Sequence, residues 1–73
     1  SKLVIGDKDA TGFPDLVLTR AGRLIFAELK SDKGRVKPEQ QAWLDALDGL
    51  RLVAVKVYVW RPSLWAEVEA VLA

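Results

Sequence analysis

The alternation of apolar and polar positions divides this chain into short strands and two helices. Leu3-Val4-Ile5 reads as a short strand or strand remnant, and residues 6–14 as a loop. Leu16-Val17-Leu18 and Leu24-Ile25-Phe26 lie in two β-branched-rich runs separated by a turn signal containing Gly, the pattern of a β-hairpin. A turn centred on Ala21-Gly22 pairs Arg20 with Arg23 and Val17 with Phe26. Pro38 suits the first turn of a helix whose apolar face is Trp43, Leu44 and Leu47, ending near Gly49. Residues 52–60 are Val-rich and read as a strand. Both of its faces are apolar apart from Lys56, as expected for an interior or parallel position covered on both sides. Pro62-Ser63 opens a second helix, whose Leu64, Trp65, Val68, Val71 and Leu72 are expected to pack on the sheet. The order is (β)ββαβα. A strand–helix–strand passage implies a right-handed crossover and parallel pairing of the last strand with residues 23–30. Residues 1–73 make one α/β domain on a small mixed β-sheet, with no repeat, low-complexity tract or linker.

The hairpin register carries the chemistry. Extended outward from the turn, it sets Asp15 opposite Glu28, and alternation puts Lys30 on the face of Glu28 while Leu29 points away. Opposed carboxylates repel unless a cation lies between them. Mg²⁺ suits that place, because it prefers oxygen ligands and is often held by one or two carboxylates plus water and phosphate oxygens. A neighbouring lysine stabilises a developing phosphorane charge or helps deprotonate an attacking water. Singly, Asp15 reads as the end of a turn after Pro14, and Glu28 and Lys30 as a solvated strand end. Together, in register, they read as a metal-dependent phosphodiesterase site.

Composition narrows the chemistry further. Absence of Cys and His excludes disulfides, thiolate and imidazole metal sites, a histidine general base and a Ser-His-Asp triad. Any metal must be oxygen-liganded, so Mg²⁺, Mn²⁺ or Ca²⁺ is favoured over Zn²⁺. Lys33-Gly34-Arg35 lacks the pattern of a nucleotide-binding phosphate loop, so no nucleotide cofactor is expected. The net charge of +1 does not announce a nucleic-acid binder. Lys30, Lys33, Arg35 and Lys37 nevertheless cluster after the site, relieved only by Asp32, where they would meet phosphates flanking a scissile bond. An ordinary solvated loop is the plainer reading of such a run. Arg51 and Arg61 would extend the basic surface. Neither a signal peptide nor a membrane span is visible, which makes an intracellular setting the default.

Pro14-Asp15 followed by Glu28-Leu29-Lys30 resembles the PD-(D/E)XK nuclease signature. The wider string is similar to the VRR-NUC branch of that superfamily. It runs from Gly12-Phe13-Pro14-Asp15 through Phe26-Ala27-Glu28-Leu29-Lys30-Ser31 to Pro38-Glu39-Gln40-Gln41-Ala42-Trp43-Leu44, with Val57-Tyr58-Val59-Trp60-Arg61-Pro62 as a closing strand. The resemblance implies a restriction-endonuclease-like core and a nuclease that hydrolyses DNA phosphodiesters with Mg²⁺ or Mn²⁺, often on branched or structured DNA in the manner of a Holliday-junction resolvase. It makes Asp15 and Glu28 the metal ligands, the backbone carbonyl of Leu29 a candidate third, and Lys30 the residue that orients or activates water. Gln40 matches the family's glutamine on the following helix, reaching back toward the metal; Gln41 matches less well, because the motif glutamine stands three positions before the tryptophan, here Trp43.

The resemblance also implies an N-terminal helix bearing an acid of the metal site. The chain opens at Ser1-Lys2-Leu3-Val4-Ile5, without Met and without room for that helix, as a trimmed or reduced domain would. Asp7 and Asp9 are acids near the site, though their Gly/Asp/Lys/Thr-rich segment reads as a turn. The compact form of the resemblance suggests genome processing in a bacterium or a phage-infected host. Trp43, Trp60 and Trp65 sit on or beside core-like runs, so packing is favoured over base stacking, with Trp60 and Trp65 alternatively covering a homodimer interface. A second functional reading is a catalytically disabled DNA-binding or assembly module. A third is a structural ββαβα domain without a ligand.

Overall fold

The computed structural model describes the backbone of residues 2–4 and all of residues 11–73. Ile5, Asp7 and Asp9 lie outside the described residues. Among the described residues four strands form one sheet in the order β1-β2-β3-β4: β1 (Lys2–Val4), β2 (Leu16–Arg20), β3 (Arg23–Leu29) and β4 (Val55–Trp60). β1 and β2 are antiparallel, β2 and β3 are antiparallel, and β3 and β4 are parallel. Helix α1 (Pro38–Asp48) joins β3 to β4, and a 3-10 turn (Pro62–Leu64) leads into α2 (Trp65–Leu72). This mixed sheet with helical cover is broadly consistent with a restriction-endonuclease-like arrangement. No helix among the described residues is long and apolar enough to cross a membrane.

The hairpin has the expected register, with Arg20 opposite Arg23 and Val17 opposite Phe26. Ala21 and Gly22 have φ of 50° and 76°, so both central residues are left-handed. That is the two-residue turn whose twist matches the strands it joins.

Alternation along β3 separates two packing faces. Ile25 and Ala27 face α2 and form the buried core with Leu18, Trp60 and Val68, flanked by Leu16, Tyr58, Val71 and Leu72. Phe26 and Glu28 face the other way, toward α1. There Phe13 meets Phe26 edge-on at 6.2 Å and Trp43 at 5.0 Å between ring centroids. α1 packs against β4 with Leu44 buried.

Two expectations need correction. β4 starts at Val55 rather than at residue 52. The exit from α1 consumes the intervening residues: the amides of Gly49, Leu50 and Arg51 bond back to the carbonyls of Asp45, Leu47 and Asp48, and Arg51 is left-handed at φ 54°. Val53 consequently stands 87% exposed on a turn. β4 is also an edge strand, although helices cover both of its faces. The second correction concerns Leu64, in the 3-10 turn, and Trp65, which are 38% and 62% exposed instead of packed on the sheet.

Candidate metal centre

Glu28 lies one residue from the end of β3 and is 2% exposed, the one buried charged side chain among the described residues. The β2–β3 ladder ends at Leu16 opposite Ala27, so Asp15 stands just beyond it. Its position is fixed from the side: the Leu29 amide donates to Asp15 Oδ2 at 3.0 Å. The Asp15 carboxyl thereby comes within hydrogen-bonding reach of Glu28. The hairpin register and the Leu29 amide together bring these two acids to one end of the hairpin, although the Asp15–Glu28 pair itself lies beyond the ladder.

Two further residues complete the cluster. Lys30 Nζ lies 3.7 Å from Glu28 Oε2, with its side chain only 14% exposed. Its own amide donates to the Trp60 carbonyl at 2.9 Å, which ties the site to the end of β4. Gln40, on the first turn of α1, donates from Nε2 to Glu28 Oε2 at 3.0 Å. Its Oε1 simultaneously accepts the Lys37 amide at 2.9 Å, satisfying one of the amide groups left free at a helix start. Gln40 therefore does two jobs: it caps α1 and grips the carboxylate. Gln41 turns along the helix to Asp45 instead.

Electrostatics make Glu28 an unsettled acid. Burial raises its pKa first, and the hydrogen bond and repulsion from Asp15 raise it further. Lys30 and the Asp15 backbone amide pull in the opposite direction without cancelling the rise. Glu28 Oε1 is moreover buried without a hydrogen-bond partner. Such an orphaned acceptor is uncommon in a folded protein and calls for an explanation.

These residues fit a hard divalent cation. The donors are all oxygen, two carboxylates are apposed, and the buried Glu28 Oε1 has no hydrogen-bond partner. No cluster of three or more His, Cys, Asp or Glu is present among the described residues, so two acids are what this part of the chain offers. That donor set matches Mg²⁺ or Mn²⁺, which complete their shells with water and phosphate oxygens.

The loop after β3 is held from beneath. Arg61 donates from Nη1 to the carbonyls of Gly34 at 2.6 Å, Ser31 at 2.7 Å and, more weakly, Asp32 at 3.4 Å. The Ser63 amide donates to Asp32 Oδ1 at 2.8 Å, and this bond, with the nearby Arg61 charge, holds the Asp32 carboxyl below the usual aspartate range. Arg61 is thus a clamp and not an extension of the basic surface. Lys33, Arg35 and Lys37 are exposed on the loop it fixes, and Arg51 is exposed on the turn after α1. Charged hydrogen bonds of this kind contribute about 1.5–3 kcal/mol. Arg61→Ala is expected to lower stability in urea by about 2 kcal/mol, a loss of the size that such bonds imply.

A family model described as the VRR-NUC domain matches residues 7–61, a span that holds Asp15, Glu28, Lys30, Gln40 and Arg61. The chain belongs to the VRR-NUC family. No curated protein and no solved structure matches it. Membership is consistent with the PD-(D/E)XK-related nucleases and suggests a nuclease-type function.

Three supports of this VRR-NUC site escaped the sequence reading. One is the Arg61 clamp. Another is the bond from Trp43 Nε1 to the Thr11 carbonyl at 3.0 Å. The third is Gly12, left-handed at φ 81° and pressed against the start of α1. Arg61, Trp43 and Gly12 all stand in the strings that carry the family resemblance, but that placement did not show the contacts they make.

Proposed function

We propose that this VRR-NUC domain is a divalent-metal-dependent nuclease that hydrolyses DNA phosphodiester bonds, with branched or otherwise structured DNA as its substrate. The observation that carries this reading is the buried Glu28 carboxylate, its Oε1 unpartnered, beside Asp15 and Lys30.

Asp15 and Glu28 would hold Mg²⁺ or Mn²⁺, with the Leu29 carbonyl as a further ligand. When bound, the ion supplies Lewis acidity toward a phosphate oxygen and lowers the pKa of a water. The chain's own residues do the rest. The Leu29 amide and Gln40 Nε2 fix the two carboxylates before substrate arrives, so little reorganisation is needed. The Lys30 ammonium orients the attacking water and offsets negative charge gathering on the phosphoryl oxygens. Water oxygen bonds to phosphorus, the bond from phosphorus to the leaving sugar oxygen breaks, and a proton passes to that oxygen. Lys33, Arg35 and Lys37 meet flanking phosphates, the sequence-independent part of binding.

The test is cleavage of labelled four-way-junction, flap and linear duplex DNA in Mg²⁺, Mn²⁺ or EDTA. The wild-type chain should cut only with metal, and Lys30→Ala should cut about 10²- to 10³-fold more slowly, as when one charge-stabilising donor is removed. A folded wild-type chain that binds these DNAs without cutting any of them would instead be a DNA-binding module.

A further inference from the structure

We infer that the apolar groove at the carboxyl ends of β3 and β4 receives one unstacked nucleobase of the strand being cut, with Trp65 as its stacking platform. This inference rests on the nuclease reading and adds to it a base-binding site and a reason for preferring structured DNA.

The groove has a volume of about 280 Å³ and is lined by Leu29, Trp60, Pro62, Trp65 and Val68, with Lys30 and Arg61 at its rim. Its two tryptophans are in opposite situations. Trp60 is buried and stacks on Tyr58 at 5.7 Å and 26°, so it serves as packing. Trp65 is 62% exposed at the head of α2. A large aromatic left in water beside a cavity has apolar surface to bury, and every base has a face to offer it.

Charge and position name the occupant. Lys30 lines the end of this groove while its Nζ lies 3.7 Å from Glu28 Oε2, so the groove adjoins the metal centre where β3 ends. A strand whose phosphate is drawn to Lys30 therefore carries a neighbouring base past Trp65. The volume is that of a pocket for one planar ring. A second copy of the chain would need roughly 800 Å² of complementary surface on each side for a stable dimer. Taking up a base from an intact duplex costs unstacking and unpairing, a cost that is least for a base already unpaired. Forks and flaps offer such a base, and intact linear duplex does not.

The experiment compares wild type, Trp65→Ala and Trp65→Phe on a flap DNA, and on the same flap carrying one abasic residue at each position flanking the mapped cut. Trp65 is exposed, so both variants should keep the wild-type circular dichroism and melting temperature. Trp65→Ala should raise KM about 5- to 150-fold on the intact flap, the range that corresponds to losing one base–aromatic stack. Trp65→Phe should retain most of the affinity. One abasic position should bring wild type to the Trp65→Ala level and leave Trp65→Ala unchanged. Equal KM for all three proteins overturns the base pocket while metal-dependent, Lys30-dependent cutting leaves the nuclease standing. A Trp65→Ala loss that is the same on every abasic DNA, with dimer converting to monomer in light scattering, assigns the groove to a second copy and also overturns it. No metal-dependent cutting by wild type overturns both readings.

Discussion

Glu28→Gln is expected to stabilise the metal-free protein and, on the nuclease reading proposed above, to abolish metal-dependent cleavage. The wild-type carboxylate is buried, faces Asp15, and leaves Oε1 without a partner. A glutamine of the same shape relieves each of these costs. Its carbonyl oxygen keeps Gln40 and Lys30, and its amide nitrogen becomes a donor toward Asp15. Removing an unsatisfied buried group is worth about 1–3 kcal/mol, and each kcal/mol moves the melting temperature of a domain this small by roughly 4–8 °C. Loss of a metal ligand forfeits several kcal/mol of charge stabilisation, so cleavage should fall by about 10³-fold or more.

The same substitution has a pH signature. The folded-state pKa of Glu28 is raised above the ordinary 4.5, so the folded chain keeps this proton after the unfolded chain has released it. Stability from this group is full below the unfolded value and declines as pH rises through the folded value. Wild-type, metal-free protein should therefore lose stability through that window, and Glu28→Gln should not. Mg²⁺ should reverse the trend, because it binds the deprotonated form and gains affinity as the proton leaves. Thermal melts at pH 5 and pH 8, with and without Mg²⁺, read out all four conditions. A Glu28→Gln protein that melts below wild type at pH 8 without metal would show that the carboxylate is structurally satisfied, against the metal-centre reading.

The parts of this fold that sequence made legible are those where a few neighbouring residues decide the outcome. Ala21-Gly22 sets the hairpin turn, the turn sets the register, and the register delivers Asp15 and Glu28 to one end. Pro38 opens α1 because its fixed φ suits a helix start, while Gly49 is a right-handed C-cap and the left-handed residue that turns the chain away is Arg51. Gln40 was placed by family resemblance; nothing in its local sequence distinguishes a gripping glutamine from a solvated one. Residues 52–54 misled because Leu52 and Val53 are as apolar as a strand, while the turn they lie on is imposed by the need to leave α1. Trp65 misled for a different reason. Helical spacing puts it near Val68 and Leu72, but it stands level with Leu29 and Trp60, the last residues of β3 and β4, where the sheet stops. Periodicity reports which side of a helix is apolar. It does not report how far the sheet beneath extends. Arg61 was equally opaque, since a guanidinium that serves three backbone carbonyls across the fold looks in sequence like any surface arginine.

Gly12→Ala is expected to cost more stability than any other single methyl added to the described loops, and to weaken the metal centre without touching a ligand. Gly12 has φ of 81°, and a Cβ there would sit 2.5 Å from the Glu39 carbonyl oxygen, 2.6 Å from its carbon and 2.9 Å from the Gln40 nitrogen. All three are backbone atoms of the first turn of α1, so relief requires moving the helix start itself. The surroundings resist that movement. Trp43 is bonded to the Thr11 carbonyl, and Phe13 packs edge-on against Trp43. Left-handed strain and the clash together should cost about 2–4 kcal/mol. Any shift that relieves the clash draws Gln40 away from Glu28 Oε2, and losing such a supporting contact typically weakens metal binding about 10- to 100-fold. Gly22→Ala is the matched control. It has φ of 76° but open space around the added methyl, so it carries only the conformational cost of about 1 kcal/mol. Chemical denaturation of both variants, with Mg²⁺ titrated by calorimetry, separates strain from steric contact. Equal losses of stability for the two, with Mg²⁺ affinity unchanged in both, would mean that the contact at Gly12 is relieved without moving α1 and that the grip of Gln40 on Glu28 does not depend on the loop beneath it.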